Sequence, residues 1–384
     1  MPPRILLAVL VYGGDSFVHR CIRSAARVDN TDCNVDAIVL DDCSPDEDWS
    51  AALASRCAEL GVQYYRSPRN LGIPRNMNLA MRYAMAADFD YVVLLNSDTV
   101  LPRNLGSALV KVAGRDDRIG SVTAWSNNAS MFSLPNADPQ RFLTDPDAVD
   151  WVSATLAEEF GEDSVDIPSA VGFCVLLSVP AVRAVGLMDP AFGRGYCEEI
   201  DWSQRSRALG YRITMAPAAF VFHMGNASTI EAGFELDVHR SVPANERLID
   251  HRYGDFRSNV QEYADSGVAE QLVEAGSERL VAQAAREHGY VVEASWFAPD
   301  EDGGEVHFAI APDGASRVAT GTYLGFTATV NVEPSILRSL EDLTGRLPSR
   351  VVVQDHGART AELLQDARVR SIDVVDARAY PQRV

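Results

Sequence analysis

YVVLLNSDTVLP, residues 91–102, is an apolar run that ends on small polar residues around a single carboxylate. Residues 91–95 are suited to a buried strand, and Asn96-Ser97-Asp98-Thr99 follows at once. Taken alone, Asp98 could be a helix cap, a turn residue or one ligand of a metal ion. The elements on either side of this stretch are needed to choose among these three roles.

Apolar strand-like runs alternate with helical patterns through the first part of the chain. Strands are predicted at residues 4–11, 35–42 and 62–67, and helices at residues 16–28, 49–61 and 73–87. Because each strand is almost wholly apolar, the alternation indicates a parallel sheet that is covered on both faces. The predicted fold class is therefore α/β.

Turn-forming or polar residues stand at four successive strand ends. They are Tyr12-Gly13-Gly14, Asp41-Asp42, Asn70 with Gly72, and Asn96-Ser97-Asp98. Each group alone fits ordinary turn chemistry, but ligands bind at the carboxyl ends of strands in such sheets, so together they predict one crevice. The first turn, YGGDSF, matches neither the GxGxxG nor the GxxxxGK[ST] phosphate loop. A diphosphate held through a metal ion fits this crevice better.

A second polar region lies at residues 169–229. CEEIDWSQRSRALG, residues 197–210, predicts a helix whose first turn holds Glu198, Glu199 and Asp201. Acids in a first turn stabilise the helix dipole, but three within four residues exceed that need. Their mutual repulsion can raise the pKa of one of them enough to make it a base. His223 ends a second apolar strand, where a lone histidine is more often structural than a ligand.

Composition excludes several classes of function. The chain holds 34 basic and 54 acidic residues, a net charge of 34 − 54 = −20, which disfavours binding to nucleic acid or to acidic membranes. Its six cysteines form no CxxC pair and are expected to be free thiols in a reducing cytosol. No run approaches the roughly 18 apolar residues that span a bilayer. We expect a soluble, cytoplasmic protein, with peripheral association at a membrane left open.

The order of these motifs resembles the family-2 inverting glycosyltransferases of the GT-A fold, in their rhamnosyltransferase-like branch. The resemblance covers residues 4–230 and rests on VLDDCSPDED (39–48), NLGIPRNMNLAMRYA (70–84), LLNSDT (94–99), GYCEEIDWSQRSRALGYRI (195–213) and VFHMGNAS (221–228). Cys43 and Ala80 replace glycines of the family pattern. The resemblance implies a Rossmann-like nucleotide-diphospho-sugar transferase domain, followed here by a smaller C-terminal α+β module.

The resemblance also implies roles for individual residues. Nucleotide binding is expected at Val11, Tyr12, Gly13, Asp41, Asn70, Gly72, Arg75, Asn96 and Ser97, with Asp41 hydrogen-bonding the nucleobase and Asn96 the ribose. Arg75 is added by our own inference, because the motif fixes no cation there. Gly172 and Phe173 are expected beside the donor sugar. Asp98 and His223 are expected to hold a divalent ion, Mn²⁺ or Mg²⁺.

The base that the resemblance implies is Glu199, which is one methylene longer than the family's aspartate; Glu198 and Asp201 are possible substitutes. The expected activity is metal-dependent, inverting transfer of a hexosyl or deoxyhexosyl group. The donor would be a dTDP- or UDP-linked sugar. The acceptor would be a hydroxyl group on a glycan, lipid-linked saccharide or natural product, as in polysaccharide or glycoconjugate biosynthesis.

Three alternatives stand beside this activity. A catalytically silent scaffold that binds nucleotide sugars or glycans would be favoured by loss of Asp98, Glu199 or His223, and all three are present. A nucleotidyltransferase would need a basic, glycine-rich loop after the first strand, and YGGDSFVHR, residues 12–20, offers no such loop. A processive synthase would carry membrane helices and Gln-x-x-Arg-Trp, and the sequence predicts neither.

Three segments are predicted along the chain: a glycosyltransferase domain at residues 1–235, a helical extension at 236–289, and a small α+β module at 290–384. The module has no assigned role, and oligomerisation of identical chains or recognition of the acceptor are equal possibilities.

Overall fold

The computed structural model describes residues 1–14, 16–136, 138–225, 235–295, 306–312, 317–333, 335–354 and 357–376. The chain divides into two compact units. The first comprises Met1–Ser133 with Gln140–Ala269, and the second comprises Leu134–Pro139 with Glu270–Val384. The main division therefore falls inside the predicted helical extension at 236–289.

The first unit contains ten strands and ten α-helices among the described residues. The strands are β1 Arg4–Val11, β2 Asn34–Asp41, β3 Gln63–Arg66, β4 Tyr91–Asn96, β5 Thr99–Val100, β6 Ile119–Trp125, β7 Val165–Asp166, β8 Cys174–Ser178, β9 Arg212–Phe220 and β10 Phe222–His223. The helices are α1 Ser16–Ala25, α2 Glu47–Glu59, α3 Ile73–Ala86, α4 Leu105–Ala113, α5 Arg141–Thr144, α6 Pro146–Phe160, α7 Val179–Val185, α8 Glu198–Ala208, α9 Glu235–Arg252 and α10 Phe256–Asp265. A short 3-10 turn, Pro190–Phe192, precedes α8.

Eight of these strands form one sheet in the order β3-β2-β1-β4-β8-β6-β9-β7. The predicted parallel arrangement holds for β3, β2, β1 and β4, but β8 runs antiparallel to both β4 and β6. Because β8 is antiparallel to β4, it begins at the crevice, where Cys174 pairs with Leu95 at the carboxyl end of β4. Residues just before β8 therefore lie at the same edge as residues just after β1 and β4.

The core of the first unit lies on this sheet. Residues 5–11 of β1, 92–95 of β4 and all of β8 are buried. Helices α1 and α4 cover one face and place Ile22, Leu105 and Leu109 in the same apolar cluster. Since burying one aliphatic side chain stabilises the fold by about 1.5–3 kcal/mol, these strands form a rigid platform for the polar strand ends.

The second unit is a separate mixed α/β layer. Helix α11, Val268–His288, leads into it, followed by β11 Tyr290–Ala294, β12 Val306–Ile310, β13 Val318–Tyr323, β14 Phe326–Asn331, α12 Ile336–Thr344, β15 Arg350–Val353, α13 Ala358–Val369 and β16 Asp373–Asp376. The sheet order is β14-β13-β12-β11-β15-β16. Strands β12, β11, β15 and β16 are parallel, while β13 and β14 are antiparallel additions at one edge. A C-terminal module with its own sheet is thereby confirmed.

Across the described parts of both units, no helix combines the length and the apolar character that crossing a bilayer would require.

Candidate functional site

A small two-stranded ladder creates the centre of the site. Ser97 and Asp98 form the turn between β4 and β5, and β5 pairs antiparallel with β10 so that Thr99 lies opposite His223. The Met224 N–H donates to the Asp98 carbonyl at 3.0 Å, which extends the ladder by one bond. This pairing brings Asp98 and His223 together although they are 223 − 98 = 125 positions apart.

Asp98 and His223 point their polar atoms at each other inside the protein. Asp98 Oδ1 lies 3.4 Å from His223 Nε2, and the two side chains are 1% and 13% exposed. Neither atom has a hydrogen-bond partner, although a buried polar atom without one is costly. Two ligands of one cation, each about 2.0–2.6 Å from it, lie at about this separation. The pair therefore fits one edge of a metal coordination sphere.

No cluster of three or more His, Cys, Asp or Glu side chains is arranged to hold a metal anywhere in the described residues. The fit is thus to an ion that takes two ligands from this chain and the rest from water or a bound phosphate. Magnesium and similar ions are often held in this way, by one or two carboxylates plus substrate phosphates.

The His223 ring is oriented by its neighbours. Its Nδ1 lies 2.8 Å from the Asn128 carbonyl, and the ring stacks on Phe173 with centroids 5.0 Å apart. The Asn127 side chain bonds both the N–H and the carbonyl of His223, at 2.9 and 3.1 Å. A proton on Nδ1, shared with a carbonyl, leaves the Nε2 lone pair free for a cation.

Charge also acts on His223. Burial lowers the pKa of the imidazole, but the facing Asp98 carboxylate and the Asn128 carbonyl outweigh it, so the pKa of His223 lies above its ordinary value. The same negative field that raises this pKa attracts a cation to the pair.

The acidic turn of α8 forms the second part of the site. Tyr196 and Cys197, the two residues before the helix, both have positive φ, at 70° and 74°, a backbone state that costs energy for residues other than glycine. Glu198 is buried and Glu199 half-buried, and one oxygen of each has no hydrogen-bond partner. Of the two residues, Glu199 is the more exposed.

Burial raises the pKa of Glu199 to about 7, although the backbone N–H groups of Glu199, Cys197 and Ile200 counteract it. Burial and the neighbouring Glu199 charge raise the pKa of Glu198 well above its ordinary value. A carboxylate that binds a proton near neutral pH is suited to general-base chemistry.

Gly172 and Phe173, predicted beside the donor sugar, connect the two parts of the site. A Cβ at Gly172 would lie 3.9 Å from Glu199 Cδ, so its backbone lies against the acidic turn. Phe173 is buried beneath His223, and its carbonyl accepts the Asn96 N–H at 2.8 Å. The segment that starts β8 thus runs from the acidic turn to the Asp98–His223 pair.

Asp201, one of the two substitutes for Glu199, is fully engaged. Its carboxylate accepts hydrogen bonds from Arg205 at 2.9 Å, Arg252 at 2.6 Å and the Tyr253 hydroxyl at 2.7 Å, and the residue is 1% exposed. One oxygen accepts from Arg205 of the same helix, whose guanidinium also donates to the Val185 carbonyl of α7, and the other ties α8 to Arg252 at the end of α9. This carboxylate is therefore structural in this conformation.

Asp41 is likewise buried and engaged. Its two oxygens accept four hydrogen bonds, from the Ser44 N–H and hydroxyl and from the Ser50 and Tyr64 hydroxyls. Ser44 in turn accepts the Gly13 N–H at 2.9 Å. The carboxylate has no oxygen left free for a nucleobase, and it shapes the Gly13 turn through Ser44.

The remaining residues that are predicted to bind the nucleotide differ in their exposure. Asn70 and Arg75 are exposed and Tyr12 is half-buried, whereas Val11 and Ser97 are buried. The Val11 carbonyl accepts the Asp42 N–H at 2.8 Å. Asp42, which the motif comparison left without a role, accepts the Leu71 and Gly72 N–H groups at 2.7 and 2.9 Å. The acidic pair therefore ties together the turns that follow β1 and β3.

Four residues that hold the site were missed in the sequence: Asn127, Asn128, Asn245 and Arg252. Asn127 and Asn128 follow β6 after Ser126, so a strand at residues 119–125 places them at another polar strand end. Asn245 and Arg252 lie on α9, where sequence spacing carries no signal for their tertiary partners.

Comparison with known proteins gives a family for part of the chain. Residues 7–183, somewhat less than half of the chain, match the family described as Glycosyl transferase family 2. The match runs from β1 into α7, so it includes Asp98 but ends before Glu199 and His223. No curated protein sequence matches the chain.

The chain is similar to many solved structures, of which two are given next. One is GalNAc-T7 with UDP, GalNAc and Mn²⁺, at 15% identity and a TM-score of 0.44, covering 58% of this chain and 44% of that one. The present chain thus spans less than half the length of that protein. The other is the mannosyltransferase PcManGT from Pyrobaculum calidifontis with GDP-Man and Mn²⁺, at 16% identity and a TM-score of 0.45, covering 75% and 76%.

The family match and the mixed sheet confirm the predicted fold class, an α/β domain of the GT-A fold with a further C-terminal module. The rhamnosyltransferase-like branch stays a prediction.

Proposed function

We propose that this protein transfers a sugar from a nucleoside-diphosphate donor to a hydroxyl acceptor, with inversion at the anomeric carbon. The observation that carries the proposal is that the Asp98–His223 pair and Glu199 both lie against one short segment, Gly172–Phe173. The family match to residues 7–183 supports the same class of reaction.

Asp98 and His223 would hold the divalent ion. When bound, the ion supplies positive charge that stabilises the leaving diphosphate. An imidazole ligand favours Mn²⁺ over Mg²⁺. Phe173 and the two asparagines, Asn127 and Asn128, keep the imidazole at its place by stacking and hydrogen bonding.

Glu199 would act as the base. Its carboxylate takes the proton of the acceptor hydroxyl as that oxygen attacks the anomeric carbon from the side opposite the diphosphate. The raised pKa of Glu199 matches this task near neutral pH. Glu198 is buried behind it, and Asp201 holds the helix rather than the substrate.

The nucleotide would lie along the turns after β1, β3 and β4. The contacts proposed for it are Tyr12, Gly13, Asn70, Gly72, Arg75, Asn96 and Ser97. For Asp41 we propose a different role from the one that the resemblance implies: since Ser44, Ser50 and Tyr64 donate to both of its oxygens, it would shape the Gly13 turn instead of contacting the base. The choice of dTDP- or UDP-linked sugar, and a role for the second unit in oligomerisation or acceptor recognition, stay predictions.

A thermal-shift screen of nucleoside diphosphates with and without Mn²⁺ tests the donor half of the proposal. A ligand present at 100 times its Kd stabilises the folded state by about 2.7 kcal/mol. We expect one nucleoside diphosphate together with Mn²⁺ to raise Tm clearly more than the diphosphate alone or Mn²⁺ alone. EDTA should remove this additional rise in Tm. The matching nucleoside is the control, because it lacks the phosphates. Unchanged melting with every nucleotide would contradict the proposal.

A further inference from the structure

The loop before α8, residues 192–197, determines where Glu199 lies. It contains Gly193 and Gly195 at positive φ, 64° and 136°, followed by Tyr196 and Cys197 at positive φ. Four residues within five positions therefore have positive φ, and they belong to no regular helix or strand. The loop needs contacts from other parts of the chain to keep a single conformation.

Asn245 on α9 supplies such contacts from a single amide. Its Nδ2 lies 3.1 Å from the Phe192 carbonyl, 2.9 Å from the Gly195 carbonyl and 3.0 Å from the Tyr196 carbonyl. The residue is 8% exposed. An amide nitrogen has two hydrogens, so at most two of these three carbonyls can each take one hydrogen of their own. The carbonyls of the loop therefore surround the Asn245 amide.

Apolar side chains also join the loop to α9 and α10. Phe192 and Cys197, at the two ends of the loop, share a buried cluster with Ile249 of α9 and Phe256 of α10. On its other side the loop touches the predicted nucleotide turn. The Ile73 N–H donates to the Arg194 carbonyl at 3.2 Å, and a Cβ at Gly72 would lie only 2.4 Å from the Gly193 oxygen.

We infer that Asn245 is a positioning residue for the transfer reaction: by holding the carbonyls of Phe192, Gly195 and Tyr196, it fixes the turn that presents Glu199. This inference rests on the proposed function of Glu199. It assigns α9, a helix outside the residues that match the family, to the reacting part of the molecule.

The Cys197 N–H provides the direct link between the loop and the base. Glu199 accepts a hydrogen bond from it, which lowers the pKa of that carboxyl against the effect of burial. Among the described residues, the titratable groups that interact with Glu199 are Glu198 and the Cys197 thiol, and Gly172, whose backbone lies against it, is uncharged. If the loop loosens, Glu199 loses the hydrogen bond from the Cys197 N–H while Glu198 stays beside it. The pKa of Glu199 should therefore rise.

The test compares Asn245→Leu and Asn245→Ser with the wild type. Leucine keeps the branched shape of asparagine, with a somewhat larger volume, but donates no hydrogen bond, and serine keeps a donor on a shorter side chain. Asp250→Asn is the matched control, because Asp250 lies on the same helix in an exposed pair with Arg257, which contributes little to stability. Steady-state transfer across pH, donor binding and mass-spectrometric labelling of Cys197 are measured on each protein.

For Asn245→Leu we expect kcat to fall about 10–100-fold, the loss that a misplacement of about 1 Å causes, with donor binding unchanged. The acid limb of the kcat–pH profile should move to higher pH, and the buried Cys197 thiol should be labelled faster. For Asn245→Ser, kcat, the position of the acid limb and the labelling rate of Cys197 should lie between those of Asn245→Leu and those of the control. A folded Asn245→Leu with wild-type kcat and an unmoved acid limb would overturn the inference. If Asn245→Leu does not fold, a wild-type profile in folded Asn245→Ser would overturn it equally. Absence of transfer by the wild type would count against the proposed function instead.

Discussion

Replacing Glu199 by glutamine is expected to abolish sugar transfer while leaving donor binding nearly unchanged. Glutamine keeps the shape of the side chain but cannot accept the proton of the acceptor hydroxyl. General-base catalysis contributes about 10²–10⁴-fold to a rate, so kcat should fall by at least about 100-fold. Transfer is followed by product formation, and donor binding by calorimetry with Mn²⁺ present.

The pH dependence of the wild type belongs to the same prediction. Because the base must be deprotonated, transfer should be lost as pH falls through the raised pKa of Glu199, about 7, and not at the lower pH of an ordinary carboxyl. The residual activity of Glu199→Gln should lack this limb.

Stability separates a chemical effect from a folding effect. A carboxyl whose pKa is raised by folding stabilises the protein below its unfolded pKa, and that contribution is lost as pH rises through the folded pKa. Glu199→Gln should therefore be at least as stable as the wild type above pH 7. Transfer by Glu199→Gln at the wild-type rate would contradict the assignment of the base.

Replacing Asp98 by asparagine is expected to remove tight Mn²⁺ binding and nearly all transfer. The substitution keeps the side-chain shape but removes the negative charge that, with His223 Nε2, attracts the ion. Losing a group that stabilises charge in the transition state costs about 10²–10³-fold in kcat. Mn²⁺ binding is measured by electron paramagnetic resonance, with and without a nucleoside diphosphate.

His223→Gln should produce the same losses, and Asp98→Asn with His223→Gln should cost little more than either change alone, since both ligands serve one ion. Asp36→Asn is the control, because Asp36 lies in an exposed pair with Arg4 near the amino end of β2, away from the strand ends that form the site. If Asp98→Asn bound Mn²⁺ and the diphosphate as the wild type does, the metal assignment would be wrong.

The sequence predicts the parallel half of the sheet because apolar runs at β1, β2 and β4 alternate with helical patterns. It does not predict the direction of β8, since an apolar run such as residues 173–178 carries no sign of orientation. That direction depends on the pairing of Cys174 with Leu95, a contact between distant parts of the chain. The strand β6 and helices α4 and α6 were not assigned.

The site was predictable where it stands at strand ends and where it resembles a family. Spacing alone could not pair Asp98 with His223, because their contact depends on the β5–β10 ladder. The sequence also could not show that Asp41 is saturated, since Ser50 and Tyr64 come from α2 and β3. Asn127 and Asn245 form hydrogen bonds with backbone groups of residues that are distant in the sequence. A side-chain motif does not predict such contacts.

The most direct measurement of the central claim is turnover of a panel of nucleotide sugars by the wild type with Mn²⁺, followed as release of the nucleoside diphosphate and as a glycosylated acceptor. We predict that one donor class is consumed, that the anomeric configuration of the product is inverted, and that EDTA stops the reaction. Wild-type protein that binds a nucleotide sugar with Mn²⁺, yet releases no diphosphate with any hydroxyl acceptor offered, would contradict the account.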